Sequence, residues 1–208
     1  MTYIKLYTHI TYIRVYIINM SNTLFIDTET TGLPITRNYN DYYHPENKTY
    51  YENSRIIEIA YIIYDENKNV VKQVEHIIKP DNFNITNSHI HGITYENALE
   101  NGIDIKVAID ELCEDLINVK TIVAHNINFD INIILSECYR LNNNIIIDKI
   151  FSINKECTMY IGKKYMNQLR NPKLTVLYEY LFNKSVEQIH RALSDTQICA
   201  DCYYKMLE

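Results

Sequence analysis

Three short runs of this 208-residue chain carry side chains of the types and spacings that hold hard cations and move protons. The first is Phe25-Ile26-Asp27-Thr28-Glu29-Thr30-Thr31-Gly32-Leu33-Pro34. In a strand, residues two apart point to the same side, so Asp27 and Glu29 converge where the chain leaves its sheet. Paired carboxylates of this kind suit Mg²⁺, which takes one or two protein carboxylates, several waters and substrate phosphates. Taken alone, the pair reads more readily as a polar turn closed by Gly32 and Pro34. The second run, His125-Asn126-Ile127-Asn128-Phe129-Asp130, joins a strand to a helix. A helix N-terminus favours an acid in its first turn, which is the bland reading of Asp130. His125 and Asn126 are nevertheless costly choices for a purely structural junction. The third run, His190-Arg191-Ala192-Leu193-Ser194-Asp195, leads into the last helix. There the helix can hold the carboxylate while the loop delivers an imidazole. An unperturbed imidazole titrates at about pH 6.5 and can accept a proton from water near neutrality. By itself His190 is a loop histidine. Together, four acids and one histidine at strand ends and helix starts meet the requirements of two-metal phosphodiester hydrolysis.

The elements that must position these groups follow from the apolar patterning. Thr23–Asp27 reads as a short buried strand. Arg55–Tyr64 and Val70–Lys79 read as two longer strands joined at Asp65–Asn69. Asp104 can cap a helix with apolar positions Val107, Ile109, Leu112 and Leu116. Thr121–Ala124 is a strand, Ile127–Leu141 a helix, Ile145–Ile147 a short buried strand, and Leu174–Phe182 and Ala192–Leu207 helices. Three strands followed by alternating helices and strands imply an α/β domain, a mixed sheet covered by helices. Thr36–Ser54 lacks apolar periodicity and reads as an extended surface loop. Its Tyr39, Tyr42, Tyr43, Tyr50 and Tyr51 could stack on unpaired bases, but the mobile-loop reading is favoured because the chain holds 19 tyrosines.

Composition limits the alternatives. Hydrophobic residues make up 47% and charged residues 22%, the balance of a soluble globular domain. The net charge of −6 and pI near 5.6 argue against a module that holds nucleic acid by neutralising phosphates alone. An acidic protein can still engage phosphate through bound cations, locally at a strand end. The five cysteines, Cys113, Cys138, Cys157, Cys199 and Cys202, are an odd number spread through apolar segments. That suggests reduced thiols and an intracellular, cytosol-like compartment. His44, His76, His89 and His91 read as structural or exposed, and Phe129 as a packing residue. Residues 1–20 are apolar and Tyr-rich but broken by Lys5, His9 and Arg14, so no membrane span or clean signal is expected. They read as an N-terminal extension before a domain over 21–208, with Met20 an alternative start.

Phe25–Pro34, Ala124–Asp130 and His190–Thr196, in that order, resemble the three exonuclease motifs of the DnaQ-like, or DEDD, superfamily. The histidine five residues before Asp195 places the resemblance in the histidine subclass. Arg55–Ala60, His91–Thr94 and Pro172–Leu174 are less specific matches, and the resemblance spans about residues 22–207. It implies an RNase H-like fold with a five-stranded mixed sheet, and a metal-dependent 3′–5′ exonuclease. The implied catalytic residues are Asp27, Glu29, Asp130, His190 and Asp195, the four acids holding two Mg²⁺ (or Mn²⁺) and His190 acting as general base. Thr30, Leu33, His125 and Asn126 are implied contacts to the terminal nucleotide, with Leu33 as a wedge. Expected partners are DNA or RNA 3′ ends, single-stranded for preference, with a polymerase as a further one and no membrane. The alternative is a catalytically weak or inactive nucleic-acid- or polymerase-binding module of the same fold.

Overall fold

The computed structural model describes residues 21–186 and 190–208, so the N-terminal extension lies outside the described residues. In chain order the elements are β1 (Asn22–Thr30), β2 (Thr36–Asn38), β3 (Asp41–Tyr42), a 3₁₀ turn (Lys48–Tyr51), β4 (Ile56–Tyr64), β5 (Val70–Ile77), α1 (Ser88–His91), α2 (Tyr95–Asn101) and α3 (Ile105–Asp115). Then follow β6 (Val119–Ala124), α4 (Ile127–Arg140), α5 (Asn144–Ser152), β7 (Asn154–Cys157), α6 (Thr158–Tyr165), α7 (Leu174–Phe182) and α8 (Ala192–Met206). The main sheet is five-stranded in the order β5-β4-β1-β6-β7. Its β5, β4 and β1 pair antiparallel, while β6 and β7 run parallel to β1. This is the expected mixed sheet flanked by helices.

Alternation along β1 divides the core into two layers. Leu24 and Ile26 pack with Ile109, Leu112, Ile131 and Ile134 of α3 and α4. Phe25 faces the other way, with Leu177 of α7 and Ile198, Cys199 and Cys202 of α8. Asp27 and Glu29 are in phase with Phe25 and so belong to the α8 side, whereas Thr28 belongs to the α4 side. Four of the five free cysteines are buried in these layers. Burial pushes Cys138 and Cys202 up to about 12, as expected of packing thiols rather than reactive ones.

The structure corrects several expectations. Ile145–Ile147 is helical, in α5, and the edge strand is the polar segment Asn154–Cys157. Asn143 starts α5 by accepting a hydrogen bond from the Ile146 amide, which turns a β-branched run into a helix with Ile146, Ile147 and Ile150 inward. Asp104 does cap α3, accepting from the Lys106 amide at 2.7 Å, but Val107 is exposed while Ile109 and Leu112 face the core. Thr36–Ser54 is not a loose surface loop. It forms the β2–β3 hairpin and the 3₁₀ turn, and its Tyr51 ring is completely buried, with its hydroxyl donating to the Tyr43 carbonyl at 2.5 Å. The apolar patterning does not predict α6 or the short α1, whereas α2 follows His91–Thr94 where a helix is expected. No helix among the described residues is long and apolar enough to cross a membrane.

Candidate active site

The candidate residues come from three places in the fold. β1 carries Asp27 and Glu29 to the end of the central strand, where the register with β4 shifts between Glu29 and Thr30. That irregularity marks where the chain turns out of the sheet. Thr30 turns its hydroxyl onto the Gly32 carbonyl at 2.7 Å, and its own carbonyl accepts from the Asn87 side-chain amide at 2.8 Å. A side chain at Gly32 would meet the Asn53 carbonyl oxygen at 2.8 Å, so the turn accepts only glycine without a backbone shift. Leu33 beyond it is 78% exposed.

α4 brings Asp130 across from the other layer. Asn126 caps it in the left-handed conformation, φ 75° and ψ 47°, which asparagine tolerates better than most residues. Asp130 is buried, and its Oδ1 accepts from both the Thr28 amide at 3.0 Å and the Thr28 hydroxyl at 2.9 Å. Thr28 thus fixes Asp130 against the strand that carries Asp27 and Glu29. α8 supplies Asp195 from its first turn, and the residues before the helix supply His190, itself at φ 47°. Ligand atoms of Glu29, His190 and Asp195 all lie within 4.8 Å of one another.

The electrostatics follow from gathering acids under partial burial. Burial pushes the Asp27 carboxyl well above the usual range, and the charges of Asp130, Asp195, Glu29 and Glu58 push the same way. Burial, then Asp195, raise Glu29 to about 8, with Arg191 pulling it down. Burial raises Asp130 to about 7 against the lowering effect of its Thr28 hydrogen bonds. A hard oxygen-rich donor set that disfavours its own ionisation is what a divalent cation would stabilise, so the residues present fit the metal that the motifs imply.

The remaining candidates divide. Asn126 lies at the α4 cap, its side-chain oxygen accepting from Asn40 at 3.1 Å. His125 is tied down instead: its ring nitrogens meet Thr158 Oγ1 at 2.9 Å and the Pro172 carbonyl at 3.1 Å. Burial holds it down at about 4, so it is a neutral strut between β6, α6 and the turn before α7. Phe129 packs on the core as expected. His91 is buried with its Nδ1 accepting from the Ile93 amide at 3.1 Å, and His76 faces Glu111 at 2.7 Å.

Glu58 adjoins these groups and the local motifs do not mark it. It sits fully buried on β4 in direct register with Glu29. The Arg191 guanidinium donates to it through Nε at 2.9 Å and Nη2 at 2.5 Å, and the Ala192 amide donates at 2.8 Å. Glu58 therefore fixes the start of α8, one residue from His190. A lone acid inside an apolar strand signals a buried pair, and the arginine beside His190 was its available partner.

A family model described as exonuclease, RNase T, matches residues 24–203. The DNA polymerase III subunit epsilon of Haemophilus influenzae is 29% identical over 191 residues, covering 91% of this chain and 68% of that protein. The same subunit of Escherichia coli is 26% identical over 193 residues, covering 90% and 72%. Among solved structures, E. coli Exonuclease I in complex with a dA16 oligonucleotide superposes with a TM-score of 0.65 at 18% identity, over 90% of this chain. The chain spans 40% of that enzyme's length. Schizosaccharomyces pombe Pop2p, in a Mg²⁺- and Mn²⁺-bound form, gives 0.66 at 19% identity, over 88% of this chain and 82% of its own. At these identities the structural likenesses speak for the fold.

Proposed function

Because the chain belongs to the RNase T exonuclease family, the DnaQ-like 3′–5′ exonucleases, we propose that it removes nucleoside monophosphates from DNA 3′ ends with two divalent cations and His190 as general base. The observation that carries this reading is the meeting of Glu29, His190 and Asp195 within 4.8 Å, with Asp27 and Asp130 adjoining. Asp27, Glu29 and Asp195 would hold one cation, and Asp27 with Asp130 the other. Bound there, Mg²⁺ or Mn²⁺ would neutralise the carboxylates and the scissile phosphate and make water more acidic.

The chain's own groups do the rest. His190 takes a proton from the attacking water as its oxygen bonds to phosphorus. The phosphorus–O3′ bond then breaks, giving a 5′-monophosphate and, once the leaving oxygen is protonated, a new 3′-hydroxyl. Thr28 holds Asp130 in place, and the Glu58–Arg191 pair sets the approach to His190. Leu33, exposed beside the turn, would meet the terminal base, and Asn126, at the α4 cap, would contact the same nucleotide. The relatives named as polymerase III subunits make a polymerase the partner to try first.

The test is product analysis on matched 5′-labelled DNA and RNA oligonucleotides with Mg²⁺ and with Mn²⁺. Stepwise shortening with mononucleotide release, abolished by chelator and by Asp195→Asn, is the expected result. Tight binding without turnover in either metal would instead support the binding-module reading. Shortening that survives both chelator and the substitution would overturn the metal mechanism.

A further inference from the structure

The Thr36–Ser54 segment is built too firmly, and in too particular a place, to be a surface decoration. Its root is in the core: Tyr51 is fully buried, and the Ile35 amide bonds the Tyr50 carbonyl at 2.8 Å. Tyr43 stacks on Tyr50 with ring centroids 3.7 Å apart and planes within 7°, while Arg37 lies 5.2 Å over the Tyr43 ring. Arg37 also closes the hairpin through Asp41, at 2.6 Å. The tip is then pinned at the mouth of the active site. Asn40, in the left-handed region at φ 56°, donates its side-chain amide to Asn126 Oδ1 at 3.1 Å and to the Tyr160 hydroxyl at 3.0 Å. The Tyr42 hydroxyl donates to Asn40 Oδ1 at 3.4 Å. This knot joins the hairpin to the residue that caps α4, four positions before Asp130, and to α6.

Tyr39 is the exception in this pinned assembly. It is 76% exposed, held only at its far end, where the hydroxyl meets the Met159 sulfur at 3.9 Å. A large aromatic ring exposed next to Asn40, the residue bonded to the α4 cap, and steadied at its tip has the form that base stacking requires.

We propose that the β2–β3 hairpin is a single-strand arm of the active site, in which Tyr39 stacks on an unpaired base upstream of the scissile bond. The Asn40–Asn126–Tyr160 knot holds that arm against the α4 cap. This rests on the exonuclease reading above and adds a binding subsite to it. A base inside a duplex is already stacked and paired, so the arm rewards single-stranded 3′ ends. It also supplies affinity that an acidic protein cannot draw from phosphate charge, because stacking is worth on the order of 1–3 kcal/mol per base.

Steady-state kinetics on a 5′-fluorescein-labelled deoxydecanucleotide and on the matching trinucleotide, with Mg²⁺, tests the arm. Tyr39→Ala should raise the KM for the decanucleotide about tenfold while kcat moves less than twofold. It should also shrink the advantage of the longer substrate, and Tyr39→Phe should restore both. Tyr180→Ala, an exposed tyrosine of α7, is the control. Anisotropy of the labelled decanucleotide in Ca²⁺ should show the parallel loss of affinity, and thermal melts should show all variants folded. Unchanged KM and affinity in Tyr39→Ala would overturn the arm, as would Tyr39→Phe behaving like Tyr39→Ala. A wild-type protein that binds the decanucleotide through Tyr39 but releases no mononucleotide would overturn the exonuclease reading and leave the arm standing.

Discussion

Glu29 and Glu58 face each other across β1 and β4, the same residue type in the same sheet, and they are treated in opposite ways. Glu58 is buried completely and satisfied completely, with Arg191 forked onto it and the Ala192 amide completing the set. Glu29 looks toward Asp195 and His190 and is pushed up to about 8 by burial and by Asp195. Like charges placed opposite each other in a sheet destabilise it. The difference lies in what α8 sends across. One residue, Arg191, is spent on Glu58, and the next acid along, Asp195, adds to the charge around Glu29. A buried acid is made structural by giving it a cation from the chain, and made available for chemistry by withholding one.

The sharpest break of this contrast is on the withheld side. Asp27 is the acid that feels all the others, Asp130 and Asp195 foremost. Asp27→Asn should cut kcat by at least about 10³-fold, the scale of removing preorganised electrostatic stabilisation from a transition state, while the fold survives. Single-turnover cleavage of a 5′-labelled oligonucleotide measures it. A loss below tenfold would mean that Asp27 is not a cation ligand.

On the satisfied side the larger cost is to the fold. Glu58→Ala leaves the Arg191 guanidinium half-buried with Glu75 as its remaining acid, at 3.1 Å. Leaving its donors short of a buried acceptor costs about 1–3 kcal/mol, which urea unfolding should register. Replacing both partners, Glu58→Leu with Arg191→Leu, should recover much of that stability, because an apolar pair of similar volume often serves as well. Activity should stay low in the double variant, since the start of α8 and His190 lose the carboxylate that sets them. Full activity in the stable double variant would reduce the pair to a packing device.

This contrast was half legible in the sequence. Asp27, Glu29, Asp130, His190 and Asp195 stand in local runs whose strand and helix contexts can be read residue by residue, and the sheet end does gather them. Glu58 was readable too, as a charge inside the otherwise apolar Ile56–Tyr64, but its partner lies 133 positions away, and only topology supplies that contact. The short run Ile145–Ile147 has no length over which a strand and a buried helix differ. The cap at Asn143 was the better signal. Asn154–Cys157 shows no alternation because Asn154 and Lys155, on opposite faces of the edge strand, are both exposed and only Cys157 is buried. Nothing in the period of Thr36–Ser54 announces that Tyr51 is buried or that Asn40 reaches Asn126, since both are long-range events in a segment without a repeating apolar face.

The smallest effect is the most diagnostic of why the acids are tolerated. Without cations, Glu29 holds its proton to about pH 8 in the folded chain, against an ordinary value of about 4.5 in the unfolded one. Between those values the folded state binds a proton that the unfolded state has released. Stability from this group is therefore full below about 4.5 and lost as pH rises through 8. Asp130, raised from 3.8 to about 7, acts in the same direction. Chelated protein should weaken from pH 5.5 to pH 8.5 in urea titrations, and Glu29→Gln should regain about 1–2 kcal/mol at the higher pH, the usual size of a stability–function trade. Saturating Mg²⁺ should remove most of that difference by supplying to the wild type the positive charge that Arg191 gives to Glu58. If Glu29→Gln is no more stable than the wild type at pH 8.5 in chelator, Glu29 is not held against its own ionisation in the folded chain.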